Sequence, residues 1–404
     1  MSIANKKRVA VVTGTRAEYG LLRPVCEKLR QSDELALELV VTGAHLSERY
    51  GMTVREIEAD GLPIAARIPI LTHPSTDLGT AETIGDAVTL FAQYFAGSRP
   101  DCVLVLGDRY EIFAAATAAA VLRIPLAHIS GGDVTQGAAD EFFRHAVTKM
   151  AALHFPSCAQ YAARIIRMGE EPQRVFNVGG LGDENIRTMA LLDAAALSAR
   201  FNFDFSRPYL LVTYHPATLG GDPAAETAAL LAALDAFPEL GLVFTRANAD
   251  AGGETVNRLL DEYAARRKNA VVFASMGALG YLSAMRGCAA VVGNSSSGVV
   301  EAPSFHKPTV NIGDRQKGRL RCRSILDCEP QTDRIVRALK TALSPAFAAQ
   351  CRAARSPYNG GDTSGQIVSL LAAFLASDLA GRPKAFYDLA ACAGCHEHEE
   401  EHAD

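Results

Sequence analysis

The chain has 404 residues, 49% apolar and 21% charged, with 40 Lys and Arg against 45 Asp and Glu for a net charge of -5. That length predicts two domains, each able to bury a core, and the apolar content excludes wholesale disorder. The near balance of charge argues against a surface built mainly for nucleic acid. No uncharged apolar run approaches the roughly 18–20 residues of a membrane span.

Short runs rich in Val, Ile and Leu alternate with helical stretches along the chain. The opening residues lead directly into the strand-like VAVVTG with no secretory stretch before it, so a cytoplasmic location is expected. Strands are expected in the first half at residues 8–12, 37–41, 102–106, 126–129 and 153–155. Helices are expected between them at 18–30, 80–96, 110–122 and 140–151. A boundary falls near residues 178–205, where GGLGDEN gives way to a helical patch and then FNFDFSRP. The second half predicts strands at 209–213, 241–244, 270–273, 289–292 and 309–312, and helices at 224–236, 279–286 and 298–303. A last helix near 364–379 is a candidate to cross back to the first domain. Continuously apolar strands are those buried on both faces, as in parallel sheets. Their alternation with helices predicts an α/β chain of two Rossmann-like, doubly wound domains, residues 1–180 and 181–383, with a solvated tail over 384–404.

Nine Cys, an odd number scattered over a long chain, fit reduced thiols rather than a disulfide framework. Cys392-Ala-Gly-Cys395-His396 has the form of a c-type haem attachment site. It lies in a Glu- and His-rich tail whose composition reads as solvated.

The polar signals cluster where strands end and helices begin. Gly14-Thr15-Arg16-Ala17-Glu18-Tyr19-Gly20 follows the first strand. There a glycine turn, a helix start and the Arg16 cation suit an anion, and an ordinary βα turn would look similar. Gly107-Asp108-Arg109-Tyr110-Glu111 and His128-Ile129-Ser130-Gly131-Gly132-Asp133 end two further strands. In the helix that follows, Glu141, His145 and Thr148 share one face and Asp140 and Arg144 another, a pattern that surface ion pairing would also give. The second half supplies His215-Pro216, then Asn248-Ala249-Asp250, then Gly293-Asn294-Ser295-Ser296-Ser297-Gly298 with Glu301 one turn on. Hydroxyls and backbone N–H groups at a helix start suit a pyrophosphate, and serines also serve as plain caps. Gly313-Asp314-Arg315-Gln316-Lys317-Gly318-Arg319 adds cations beside that loop, where a solvated basic loop is the plainer alternative.

Taken together, GTRAEYG, GDRYE, HISGGD, DEFFRHAVTKM, YHPAT, NADAGG, GNSSSGVVEAPSF and NIGDRQKGR resemble the hydrolysing UDP-N-acetylglucosamine 2-epimerases of sialic-acid synthesis and their relatives on bacillosamine-type sugars. The resemblance spans residues 8–365. It implies a GT-B-like fold, two Rossmann domains around a central cleft. It also implies cleavage of a UDP-sugar with inversion at C2 through a glycal, releasing UDP and a free sugar.

Carried over residue by residue, the resemblance implies that Asp108, Asp133, Asp140 and His215 serve catalysis. It implies that Arg16, Arg109, His145, Asn248, Asp250, Ser295, Ser296, Glu301, Arg315, Gln316 and Arg319 bind the UDP-sugar. Some members carry glutamate two residues after the strand-end histidine. Here that position is Ser130 and the nearest acid is Asp133, so the identity of the general base stays open among Asp108, Asp133 and Asp140. The scheme requires no cofactor and no metal. The expected partners are the UDP-sugar and further copies of the chain, as a dimer or tetramer, with no nucleic acid and no membrane. A GT-B glycosyltransferase, a non-hydrolysing epimerase and a nucleotide-sugar sensor remain as rivals.

Overall fold

The computed structural model describes residues 6–74, 76–135, 140–216, 221–247 and 252–389. It opens with β1 (Lys7–Thr13), buried from Val9 onward, and α1 (Arg16–Gln31). Thr15 caps α1 and Glu18 returns the bond to the cap, a reciprocal box that fixes the helix start just after the strand-end glycine. The first unit continues through β2 (Leu35–Thr42), α2 (Val54–Ala59), β3 (Ile64–Ile68), α3 (Asp77–Ser98), β4 (Cys102–Leu106) and α4 (Tyr110–Val121). It ends with β5 (Leu126–Ile129), α5 (Asp140–Met150), β6 (Leu153–Phe155) and α6 (Ala159–Arg167). Two connecting helices follow, α7 (Leu181–Thr188) and α8 (Ala194–Phe201).

The second unit runs β7 (Tyr209–Thr213), α9 (Pro223–Leu234), β8 (Gly241–Thr245), α10 (Gly253–Ala264), β9 (Ala270–Phe273), α11 (Gly277–Gly287) and β10 (Ala290–Gly293). Then come α12 (Ser296–Val300), β11 (Thr309–Ile312), β12 (Ile325–Cys328), α13 (Thr332–Ala342), α14 (Pro345–Ala353) and α15 (Thr363–Ala376).

Both sheets have six strands, all parallel, in the orders β3-β2-β1-β4-β5-β6 and β12-β11-β10-β7-β8-β9. The winding is the same in each. The first strand of a unit lies between its second and its fourth, and the chain turns outward in opposite directions from that pair. The loops after β1 and β4, and those after β7 and β10, therefore splay apart and leave a crevice at the carboxyl edge of each sheet. The inner strands β4, β7 and β8 are buried throughout, as their unbroken apolar runs require.

Apolar layers cover both faces of both sheets. The last helix belongs to the first of these layers. Ile367, Leu371, Phe374 and Leu375 of α15 share a core with Val9 of β1 and Leu22 and Leu29 of α1.

Three findings differ from the sequence reading. The edge strands β3 and β12 escaped it because each is half-buried and lacks a continuous apolar run. The helices α2, α6, α10, α13 and α14 also escaped, being short or carrying a polar face. The third difference is at the start of the tail. Residues 385–389 are exposed as expected, but Lys384 is half-buried and donates to the carboxylate of buried Glu170 at 2.8 Å and to the carbonyls of Lys149 and Ala151. The Tyr387 N–H donates to the Gly169 carbonyl at 2.9 Å, and the Phe386 ring lies over the Lys149 ammonium. A buried carboxylate needing cations overrides the polar character of this segment. Cys392, Cys395 and His396 lie outside the described residues. Among the described residues no helix is long and apolar enough to cross a membrane.

Candidate functional site

At the carboxyl edge of the first sheet, the Gly14–Arg16 turn is built on a buried carboxylate. Glu18 Oε2 accepts from the Gly14 N–H at 2.8 Å and the Thr15 N–H at 3.1 Å. Beside it, Glu111 at the start of α4 is 1% exposed and accepts from Arg109 Nε at 2.6 Å. Burial and then the Glu111 charge push the Glu18 carboxyl well above the usual carboxylate range, while Arg109 pulls the other way. Glu111 in turn raises the Arg109 guanidinium. Two buried carboxyls thus share one cation. Arg16 points elsewhere, with Nη1 3.9 Å from Glu56 Oε1 on α2.

The adjoining strands carry a second network. Arg144 of α5 is 4% exposed and donates to Asp108, to Glu141 Oε2 at 3.0 Å and to the Thr135 hydroxyl at 3.1 Å. Burial, reinforced by the nearby Arg319 charge, pulls its pKa down to about 9. Glu141 Oε1 also meets His145 Nε2 at 3.1 Å, so one carboxylate serves both residues that the helical spacing had set on separate faces. His128, fully buried, is pushed down to about 3 by burial, so its imidazole is neutral. Its Nε2 donates to the Gly107 carbonyl at 2.7 Å and fixes the loop that carries Asp108. After β5 the chain turns sharply, with Ser130 in the left-handed region at φ 61°, and delivers Asp133. Asp133 is 8% exposed, and burial raises its carboxyl to about 6, against the pull of Arg319, the Ser157 hydroxyl and Arg164.

The second sheet's edge is organised around Asn294. Its side-chain oxygen accepts from the His215 N–H and its side-chain nitrogen donates to the His215 carbonyl, both at 2.7 Å. Its own carbonyl accepts from Gln316 Nε2 at 3.0 Å and Arg315 Nη1 at 3.4 Å. The loops after β7, β10 and β11 are thereby tied through one residue. Gly293 must precede it, because at φ 127° a Cβ would stand 1.9 Å from the Thr213 carbonyl oxygen. Burial and the Arg315 charge push His215 down to about 3, so it too is neutral and offers a single N–H. Ser295 caps α12, and its hydroxyl lies 3.0 Å from that of Ser297. Ser296 is exposed at the helix start.

The two edges approach each other. The Arg319 charge, from the loop after β11, acts on Asp133, from the loop after β5. Glu301 stands against α7, close enough that a Cβ at Gly182 would lie 3.3 Å from its Oε1, and burial raises its carboxyl to about 7. The chemistry at this junction is a set of buried carboxylates facing cations and hydroxyl donors. That is what proton transfer beside a departing anion requires.

Asp108, Arg109, Asp133, Asp140 and His145 thus come from the first unit's edge, and His215, Ser295, Ser296, Glu301, Arg315, Gln316 and Arg319 from the second's. Arg16 sits at the first edge but pairs with Glu56. Asn248 and Asp250 lie outside the described residues. Sequence reasoning assigned no part to Glu18, Glu111, Arg144 or Asn294, which hold these loops in shape. The Thr15-x-x-Glu18 capping box was the one local signal available for any of them. Among the described residues no group of three or more His, Cys, Asp and Glu side chains is placed to hold a metal. A cavity of about 440 Å³ beside Cys288, Lys307 and Arg352 lies at the opposite, amino end of the second sheet, away from all of these groups.

A family model described as UDP-N-acetylglucosamine 2-epimerase matches residues 27–372. The chain is 39% identical over 327 residues to a Campylobacter jejuni protein named GDP/UDP-N,N'-diacetylbacillosamine 2-epimerase (hydrolyzing), covering 80% of this chain and 85% of that one. It is 35% identical over 388 residues to the Escherichia coli polysialic acid biosynthesis protein P7, covering 96% and 98%. A crystal structure of UDP-GlcNAc 2-epimerase from Neisseria meningitidis bound to UDP-GlcNAc superposes with a TM-score of 0.77 at 18% identity, covering 90% of this chain and 99% of that one. At that identity the likeness is one of fold: two Rossmann-like units arranged as in GT-B proteins.

Proposed function

The chain belongs to the UDP-N-acetylglucosamine 2-epimerase family, and from that premise we propose that it is a hydrolysing 2-epimerase of a UDP-linked 2-acetamido sugar. The products are UDP and the free 2-epimeric sugar. The observation that carries the reading is the buried Asp133 carboxylate of one sheet edge, which feels the Arg319 charge of the other.

A carboxyl raised to about 6 is poised to exchange a proton near neutral pH, so Asp133 is the first choice as general base, with Asp108 and Asp140 as the other acids of the site. The base removes the C2 proton as the C1–O bond to UDP breaks, and a C1=C2 double bond forms. The second unit receives the departing diphosphate: His215 offers one N–H, Arg315 a cation, and Ser295 and Ser296 hydroxyls, with Gln316 behind them. Glu301 suits the ribose hydroxyls. Water then adds its oxygen to C1, and a proton reaches C2 from the opposite face. The sum is UDP-sugar plus water giving UDP plus the free epimer. Assembly as a homo-oligomer belongs to the same proposal.

The name of the Campylobacter relative favours a 2,4-diacetamido-2,4,6-trideoxy sugar, and the description of the family model favours N-acetylglucosamine. Proton NMR in D₂O on both UDP-sugars, without acceptor, tests the reading. UDP release, deuterium at C2 and a free epimer are expected. Strict dependence on an acceptor, or return of a UDP-linked epimer, overturns it. Asp133→Asn lowers kcat by about 10²–10⁴ if that carboxylate moves the proton.

A further inference from the structure

The loop after β11 ends in a clasp between the two units. Leu320 follows Arg319, and both sides of its peptide are taken by tyrosines. Its N–H donates to the hydroxyl of Tyr161, on α6 of the first unit, at 3.1 Å. Its carbonyl accepts from the hydroxyl of Tyr358, where the chain returns to the first unit before α15, at 3.2 Å. The two hydroxyls stand 3.2 Å apart. Since Tyr358 gives its proton to the carbonyl, the proton between the hydroxyls is that of Tyr161. The bonds therefore close in one direction: Leu320 N–H to Tyr161, Tyr161 to Tyr358, Tyr358 to Leu320 C=O. Donors aligned in a ring polarise one another. Both side chains are buried, at 0% and 1% exposure, and burial raises both phenols, so both keep their protons.

One residue back from this fixed peptide stands Arg319. Its charge acts on Asp133, Arg144 and Tyr358, and its Nε is buried with no hydrogen-bond partner among the described residues. A long side chain with many rotamers keeps its charge in one place only if its backbone is held. We propose that Tyr161 and Tyr358 are positioning residues for the reaction, gripping the Leu320 peptide so that the Arg319 guanidinium is kept on the side of the boundary that faces Asp133, whose neighbour Gly132 packs against the Tyr161 backbone. The proposal rests on the reading of Asp133 as the proton-transfer group.

Asp133 is faced by Arg319, by Ser157 and Cys158 after β6, by Tyr161 and Arg164 of α6, by Glu141 of α5 and by Tyr358 before α15. Arg319 is the strongest influence opposing its burial. Loosening the clasp therefore raises the pH at which Asp133 ionises, whereas a clasp that only stiffens the fold leaves that pH alone.

The test compares pH profiles of Tyr161→Phe, Tyr358→Phe, Arg319→Gln and Asp133→Asn with wild type, on the UDP-sugar turned over by the wild-type chain. In each Tyr→Phe variant kcat falls about tenfold with KM changed less than about threefold, and the acid limb of kcat/KM moves up by about one pH unit. Arg319→Gln moves the limb the same way, and adding Tyr358→Phe to it costs little more, since both act on one group. Wild-type kcat and an unmoved limb in the tyrosine variants overturn the proposal. Wild-type turnover in Asp133→Asn overturns instead the assignment of Asp133. Should Tyr161→Phe fail to fold, Tyr358→Phe, which removes the bond to the carbonyl, decides alone.

Discussion

Asn294 holds His215 by both sides of its peptide, accepting from its N–H and donating to its carbonyl, each at 2.7 Å. A side-chain amide that mimics a neighbouring strand in this way prolongs the β7–β10 pairing one step past the sheet edge. It also hands the histidine on in a fixed orientation, while the amide's own backbone carbonyl takes Gln316 and Arg315.

Asn294→Ala removes both bonds that the amide makes to the buried backbone of His215. The expected loss is about 2–4 kcal/mol of stability, read from urea unfolding, together with a raised KM for the UDP-sugar. Unchanged values of both would show that the clamp is dispensable.

Arg144→Lys keeps the charge but removes the fork that reaches Asp108, Glu141 and Thr135 at once. A buried pair left half-made costs about 3–5 kcal/mol. Lysine should recover part of that and almost none of the turnover, because the Asp108 carboxylate loses its fixed orientation. The measurement is kcat beside the midpoint of thermal unfolding.

The buried Glu18 carboxyl titrates well above its ordinary value of 4.5, first through burial and then through Glu111. Above that ordinary value the folded chain still holds a proton that the unfolded chain has released. This contribution to stability is complete at low pH and declines as pH rises through the folded-state value. Glu18→Gln removes the titration. Its stability, followed by denaturant unfolding across the neutral and mildly alkaline range, should decline less steeply than that of wild type. Parallel curves would contradict the assignment.

Glu170 behaves in the opposite sense. Burial alone would raise it, but bonds from His154, Lys149 and Lys384 bring it down to about 2. Its contribution is therefore present above the ordinary value of 4.5 and is lost as pH falls towards 2. Lys384→Met should be less stable than wild type at neutral pH, with the gap narrowing on acidification. A gap independent of pH would mean that the lysine acts through packing alone.

The candidate site residues were legible in the sequence because a doubly wound sheet gathers polar groups at one kind of place, the turn from strand to helix. Asp108, His215 and Ser295 are of this kind. The parts that hold them were not visible. Tyr161 and Tyr358 stand 197 positions apart, and Asn294 and His215 79. Spacing along a chain says nothing about such pairs until distant strands and helices are brought together. The burial of Arg144 was not legible because helical periodicity shows a face and not what covers it. Lys384 is a similar case: the polarity of its segment was legible, but the buried Glu170 that draws it inward was not.

The helix α15 that completes the apolar layer over β1 and α1 is encoded after the whole second unit. A ribosome therefore releases the first unit with part of its interior open to water, and it stays open until the last stretch of chain emerges. Cutting the gene at the linker should yield a first half that aggregates, and supplying residues 363–389 as a separate peptide should make it soluble.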